Sequence, residues 1–189
     1  MRAEVNKQPL LAGRRAPQAR RLDQEAALAE LTWRYFKGHG PATLQDFVWW
    51  SGLKVRDARA GLGAVSSRLQ SLTVNDKVYW MNPETARLSK KAPFVYLLPG
   101  FDEYLLGYRN RSASLDPGDA EKIQAGSNGM FSSTIVIDGK VVGTWKRELT
   151  KKALRISTDL FRPLSKKEAQ TLEEAFCRYS SFLGVERGQ

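Results

Sequence analysis

Apolar positions recur at helical spacing after Asp23, where Ala27, Leu28, Leu31, Tyr35 and Phe36 mark one face. Asp23 is a good N-cap for this helix. Gly38-His39-Gly40-Pro41 stops it, and His39 is expected to cap its C-terminal end. Thr43 opens a second, short helix, with Asp46 three residues on in a variant of the capping box. Phe47, Val48 and Trp50 supply its apolar side, and Ser51-Gly52 ends it. A third helix is predicted over about 55–70, with Val55, Ala58, Leu62, Val65 and Leu69 on one face and Arg56, Arg59 and Arg68 elsewhere. Leu72-Thr73-Val74 and Val78-Tyr79-Trp80-Met81 then flank Asn75-Asp76-Lys77, which reads as a hairpin.

Helix, breaker, short helix, Gly turn, helix and hairpin is the winged helix-turn-helix arrangement. The same order also suits a protein–protein module. After a Lys-rich linker at 82–93 the pattern changes to strands. Phe94 to Leu98 is a nearly continuous apolar run, broken by Pro99-Gly100. Phe101 to Gly107 is apolar around a carboxylate pair, and 109–129 reads as loop. Thr134–Ile137 and Lys140–Trp145 flank Asp138-Gly139, a strong hairpin signal. Ala153 to Thr158 forms another strand. Ser165 and Glu168 make a full capping box for a last helix, with Ala169, Leu172, Ala175, Phe176 and Tyr179 on one face. The pattern defines an α+β protein: a basic arm at 1–22, a winged-helix domain at 23–85, and a β-rich domain with a closing C-terminal helix at 94–189.

Charge and rare residues narrow the chemistry. The 189 residues carry a formal charge of +10. Residues 1–22 hold six Lys/Arg against Glu4, and 140–167 holds nine against Glu148 and Asp159. Such placement favours a polyanionic partner, nucleic acid first. One Cys and one His exclude an internal disulfide and a Cys/His zinc site, so no metal or cofactor is expected. No apolar run reaches the ~20 residues of a membrane helix, and no secretory signal is visible. The chain reads as cytoplasmic, with no membrane partner.

The candidate nucleic-acid contacts follow from position. Lys54, Arg56 and Arg59 lie at the start of the third helix, where a winged helix meets the major groove. Lys77 sits at the hairpin tip. Arg109 and Arg111, two apart, would share a side if extended and hold a phosphate or a carboxylate. Lys146, Arg147, Lys151, Lys152 and Arg155 form the densest basic run, suited to a DNA backbone or to a solvated strand edge. Trp49 and Trp50 read as core residues rather than stacking groups, and Cys177 as a small buried hydrophobe. Asp102 and Glu103 are the only acid/base candidates. On a strand they would point to opposite faces, so no catalytic pair is assigned, and an ion pair with Arg109 or Arg111 is expected.

Three strings in order, "HGPATLQDFVWWSGL" with "DARAGL", "LLPGFDEYLLGYRNRSASLD" and "IDGKVVGTWKR", resemble the winged helix DNA-binding domain-containing proteins that include AlkZ- and YcaQ-like DNA glycosylases. The resemblance covers about residues 25–185. It implies tandem winged helices and a β-barrel-like antiparallel sheet around duplex DNA. It further implies that this chain matches the C-terminal half of proteins about twice its length, whose catalytic Gln/Asp-type motif lies in the N-terminal half. Asn110 stands where the family often has Asp. The expected function is a DNA-binding protein that grips duplex phosphates without a catalytic motif of its own. The alternatives are a DNA glycosylase for alkylation or crosslink repair, one part of a split glycosylase with a separately encoded N-terminal half, or a protein-binding subunit.

Overall fold

A computed structural model describes residues 21–85, 94–124, 129–149 and 153–187. Most of the basic arm, most of the linker, and Lys151 and Lys152 lie outside the described residues.

The first unit is three helices and a small sheet. Helix α1 spans Gln24–His39, and the Asp23 carboxylate accepts the Ala26 N–H at 2.8 Å as its N-cap. Helix α2 spans Leu44–Ser51 and α3 spans Val55–Val65. Helix α3 ends five residues before the periodicity suggests, in a 3-10 turn at Ser66–Arg68. Val55, placed on its apolar face by spacing, is exposed. Strands β1 (Ala42–Thr43), β2 (Gln70–Val74) and β3 (Lys77–Met81) form an antiparallel sheet in the order β1-β3-β2. Asn75 and Asp76 both adopt positive φ, the backbone that a tight two-residue hairpin demands. Tyr35, Phe36, Ala42, Phe47, Ala58 and Leu62 make the core of this unit.

Gly40 sets how closely α1 meets the sheet. A Cβ there would lie 2.5 Å from the Phe36 carbonyl oxygen and 2.7 Å from the Met81 Cα. Both obstacles are backbone, so neither can swing aside.

The second unit is a five-stranded sheet in the order β4-β5-β6-β7-β8. Its strands are Val95–Leu98, Thr134–Ile137, Lys140–Leu149, Ala153–Leu160 and Glu186–Arg187. The first four pair antiparallel, and β8 joins β7 in parallel. Strands β4 and β8 stand at opposite edges, so the sheet is open and the expectation of a barrel is corrected. Closure fails because each face is covered by helix. On one face Val95, Ile135, Ile137, Val142 and Trp145 pack against Leu172, Ala175 and Phe176 of helix α5 (Lys166–Leu183). On the other face Val136 and Val141 pack against Leu105 of helix α4 (Glu103–Leu106) and Ile123 of a 3-10 segment at Pro117–Ile123. Cys177 lies on the solvent side of α5 and is exposed, against the expectation that it is buried. The helical step explains this: Leu172 and Phe176 set the apolar stripe, and Cys177, one residue after Phe176, is turned about 100° away from it.

The α5 capping box carries a pH-dependent contribution. Hydrogen bonding by the Arg162 guanidinium, then by the Ser165 backbone N–H, lowers the Glu168 pKa from 4.5 to about 2. A depressed carboxylate stabilises the fold above its unfolded pKa and ceases to do so as pH falls through the folded one. Wild type and Glu168→Gln should therefore differ in stability at pH 5, and the difference should vanish as pH approaches 2. Acid titrations of both by circular dichroism check this. Gly40→Ala should cost about 1–3 kcal/mol by overpacking, read as a lower urea midpoint with unchanged slope.

Candidate nucleic-acid interface

Helix α3 has two chemically distinct sides. Ala58, Gly61, Leu62 and Val65 are buried against α1 and α2. The opposite side carries Arg56 and Arg59, one turn apart, with Lys54 as a backbone N-cap that makes no side-chain cap bond. All three side chains belong to exposed residues, and the Arg56 side chain is 87% accessible despite a 3.2 Å contact to Asp57. The β2–β3 hairpin follows α3 in the chain, after the 3-10 turn at Ser66–Arg68. Every residue of β2 is exposed, and Lys77 follows directly on its tip. A cleft of about 610 Å3 separates this hairpin from the loop at 110–114 and the turn at 138–140. The hairpin therefore stands clear of the second unit.

The two units are joined by a buried carboxylate. Asp46, 2% exposed, closes the α2 capping box through one oxygen, which accepts from the Thr43 backbone N–H at 2.9 Å and hydroxyl at 2.6 Å. Its other oxygen accepts the backbone N–H groups of Arg109 at 2.9 Å and Asn110 at 3.1 Å, from the second unit. Four donors satisfy a charge that burial alone would make costly. Around it, the Tyr35 hydroxyl donates to the Gly107 carbonyl at 2.9 Å and the Tyr108 hydroxyl to the His39 carbonyl at 2.6 Å. Burial raises the pKa of both phenols, that of Tyr108 to about 12, with the charge of Asp46 next in effect for Tyr35 and Tyr104, then Asp46, for Tyr108.

The carboxylate pair has a different role from the one its spacing suggests. Asp102 and Glu103 start a helix rather than lie on a strand. Asp102 is the N-cap of α4 and accepts the Tyr104 N–H at 2.8 Å. Glu103 accepts the Trp50 indole N–H at 2.9 Å and lies 3.3 Å from His39 Nε2. His39 is the last residue of α1, stacked on Tyr35 with centroids 4.7 Å apart. The polar partners of Glu103 are thus Trp50 and His39 and not an arginine. The reading of the adjacent tryptophans is half right: Trp50 packs against the first core, while Trp49 is 56% exposed.

The remaining basic candidates divide. Arg109 is exposed, but Arg111 is half-buried: its Nε donates to the Leu105 carbonyl at 2.7 Å and its guanidinium lies over the Phe131 ring. Burial lowers its pKa from the usual guanidinium value. Strand alternation splits the 146–155 run. Lys146 and Arg155 share the face that carries α4, whereas Arg147 points to the α5 face, where it donates to the Tyr179 hydroxyl. No helix among the described residues is long and apolar enough to cross a membrane. Sequence reasoning missed the two-sided role of Asp46 and the bonds of Tyr35 and Tyr108, because their partners lie more than sixty residues away.

This is a mixed α+β architecture built on antiparallel sheets with a closing C-terminal helix, and its fold matches part of a solved DNA glycosylase. The Streptomyces sahachiroi DNA glycosylase AlkZ matches with a TM-score of 0.71 at 23% identity, over 89% of this chain and 46% of that one. The AlkZ-like DNA glycosylase family model matches residues 3–182, and the chain belongs to that family. An interstrand DNA cross-link repair glycosylase of Streptomyces sahachiroi is 29% identical over 118 residues, which is 59% of this chain and 32% of that protein. The chain spans less than half the length of either relative.

Asp46→Ala would leave three backbone N–H groups and a hydroxyl without their shared acceptor. It should cost about 2–4 kcal/mol, several charge-assisted bonds allowing for relaxation. Asp46→Asn should cost less. Tyr35→Phe should cost about 1 kcal/mol. Urea denaturation of the three variants gives the ranking.

Proposed function

We propose that this chain is a winged-helix DNA-binding part of an AlkZ-like protein and that it grips duplex DNA through backbone phosphates. The observation that carries the reading is the two-sided α3: Ala58, Gly61, Leu62 and Val65 are buried on one side, while Arg56 and Arg59 are exposed on the other, and an exposed hairpin with Lys77 at its tip follows in the chain. A recognition helix and a wing supply contacts of this kind. Arg109, Lys146 and Arg155 add cations from the second unit on the face to which the helical unit is docked. Arg111 and Arg147 support neighbouring structure instead. Phosphate contacts fix the register of such a protein on the duplex and carry affinity without sequence preference. Lys151 and Lys152 belong to the same proposal by sequence alone.

A second reading, one part of a split glycosylase, is favoured by the relatives' extra length. The named relatives are glycosylases, and the chain covers 46% of the solved one. In this reading a separately encoded N-terminal half completes the active site, and the present chain supplies the hold on DNA. The engagement of Asp102 and Glu103 in capping and packing agrees with that division of labour.

Titration of duplex DNA over a series of salt concentrations tests the main reading. The logarithm of the binding constant should fall linearly with that of salt, by about 0.9 for each phosphate contact. The double variant Arg56→Ala/Arg59→Ala should make the slope shallower by about two contacts. A wild-type protein that does not bind duplex at low salt contradicts the reading.

A further inference from the structure

Phe101 is held in a backbone conformation that its side chain disfavours. Its φ is 61°, the left-handed region, where a bulky L-residue is rare. The residue before it is glycine, yet the glycine is not the one in that region. Gly100 is needed for contact: a Cβ there would lie 2.5 Å from the Phe131 carbonyl oxygen. The chain must then turn at Phe101, because Asp102 is committed to capping α4. Asn or Gly at 101 would meet the same demand with less strain.

The strained residue is also half out of the protein. Phe101 is 49% exposed and touches Phe131 edge-on, with centroids 5.8 Å apart. Phe131 in turn lies under the Arg111 guanidinium. Phe101 shares a shallow recess with Leu106. The Leu106 carbonyl accepts the Trp49 indole N–H at 3.2 Å, which fixes the exposed Trp49 ring at the C-terminal end of α4. Two exposed aromatics, one from each unit, are thus held in fixed positions around α4. Backbone strain of this kind clusters at sites that meet ligands.

We propose that Phe101, with Trp49 at the other end of α4, is a base-contacting residue that stacks on or wedges beside an unstacked nucleobase of bound DNA. This rests on the DNA-binding reading above and adds a contact that charge does not supply. An aromatic face takes any base, because every base presents a π-surface. Apolar side chains such as Phe also wedge between base steps that are already weakened. The contact therefore favours DNA with an unpaired or destabilised base over intact duplex. It should persist at high salt, where phosphate contacts fade.

The test uses the full chain and two fluorescein-labelled duplexes, one fully paired and one with a single unpaired base, each titrated at several salt concentrations. Wild type should prefer the unpaired-base duplex. Phe101→Asn should bind it about 5- to 100-fold more weakly, with the salt slope unchanged and the thermal midpoint equal or higher. Phe101→Tyr should bind as wild type, and Trp49→Phe should fall between. Unchanged affinity in Phe101→Asn overturns the proposal while leaving the DNA-binding reading intact. So does a loss accompanied by a shallower salt slope, or a lowered thermal midpoint, which would make the ring structural. A change in molar mass by light scattering without a change in DNA affinity would assign the ring to a protein contact instead. Failure of wild type to bind either duplex overturns both readings together.

Discussion

The arrangement depends on a single buried carboxylate with two jobs. Asp46 closes the α2 capping box by accepting from Thr43, and it receives the backbone N–H groups of Arg109 and Asn110. Each oxygen serves one unit. A carboxylate is suited to this because it accepts on both oxygens and donates nothing. The negative charge is tolerated at 2% exposure because four donors replace water. Around this centre, Tyr35, Tyr108, His39 and Trp50 bring further hydrogen bonds across the same junction. Polar atoms satisfied in this manner have directional geometry, so the junction fixes orientation as well as proximity.

That orientation organises the surface. Helix α4 is the shared element: Leu105 anchors it to the sheet, while Glu103, Leu106 and Gly107 receive bonds from the helical unit. The cations of α3 and the hairpin are then held in a fixed relation to Arg109, Lys146 and Arg155. Two cations are engaged within the second unit. Half-buried Arg111 and exposed Arg147 each lie over an aromatic ring, a cation–π contact. A basic run in sequence is therefore not one patch in space, since strand alternation sends consecutive residues to opposite faces.

Much of the fold is legible in the chain. The caps at Asp23, Thr43 and Ser165 are local signals, and local geometry decides them. The hairpins at Asn75-Asp76 and Asp138-Gly139 are equally local, because positive φ selects those residue types. What sequence spacing does not reveal is long-range. Short strands β1 and β8 exist only because a distant strand receives them. Asp102-Glu103 reads as strand from its apolar neighbours, but the Asp102 cap and the docking of α4 on two units impose a helix. Phe101 carries no local warning either: its strain arises from the Phe131 carbonyl, thirty residues away, which claims the glycine beside it.

The membership of the AlkZ-like family and the open, helix-covered sheet agree on a scaffold, and the proposed DNA contacts give that scaffold a direction. The most direct measurement of that direction is an amide-resolved NMR titration with a short duplex at low salt. The account predicts that shifts concentrate on residues 54–60, the hairpin around Lys77, and the Lys146 and Arg155 positions, while α5 stays unperturbed. Shifts confined to α5 and the outer edge of the sheet would contradict it.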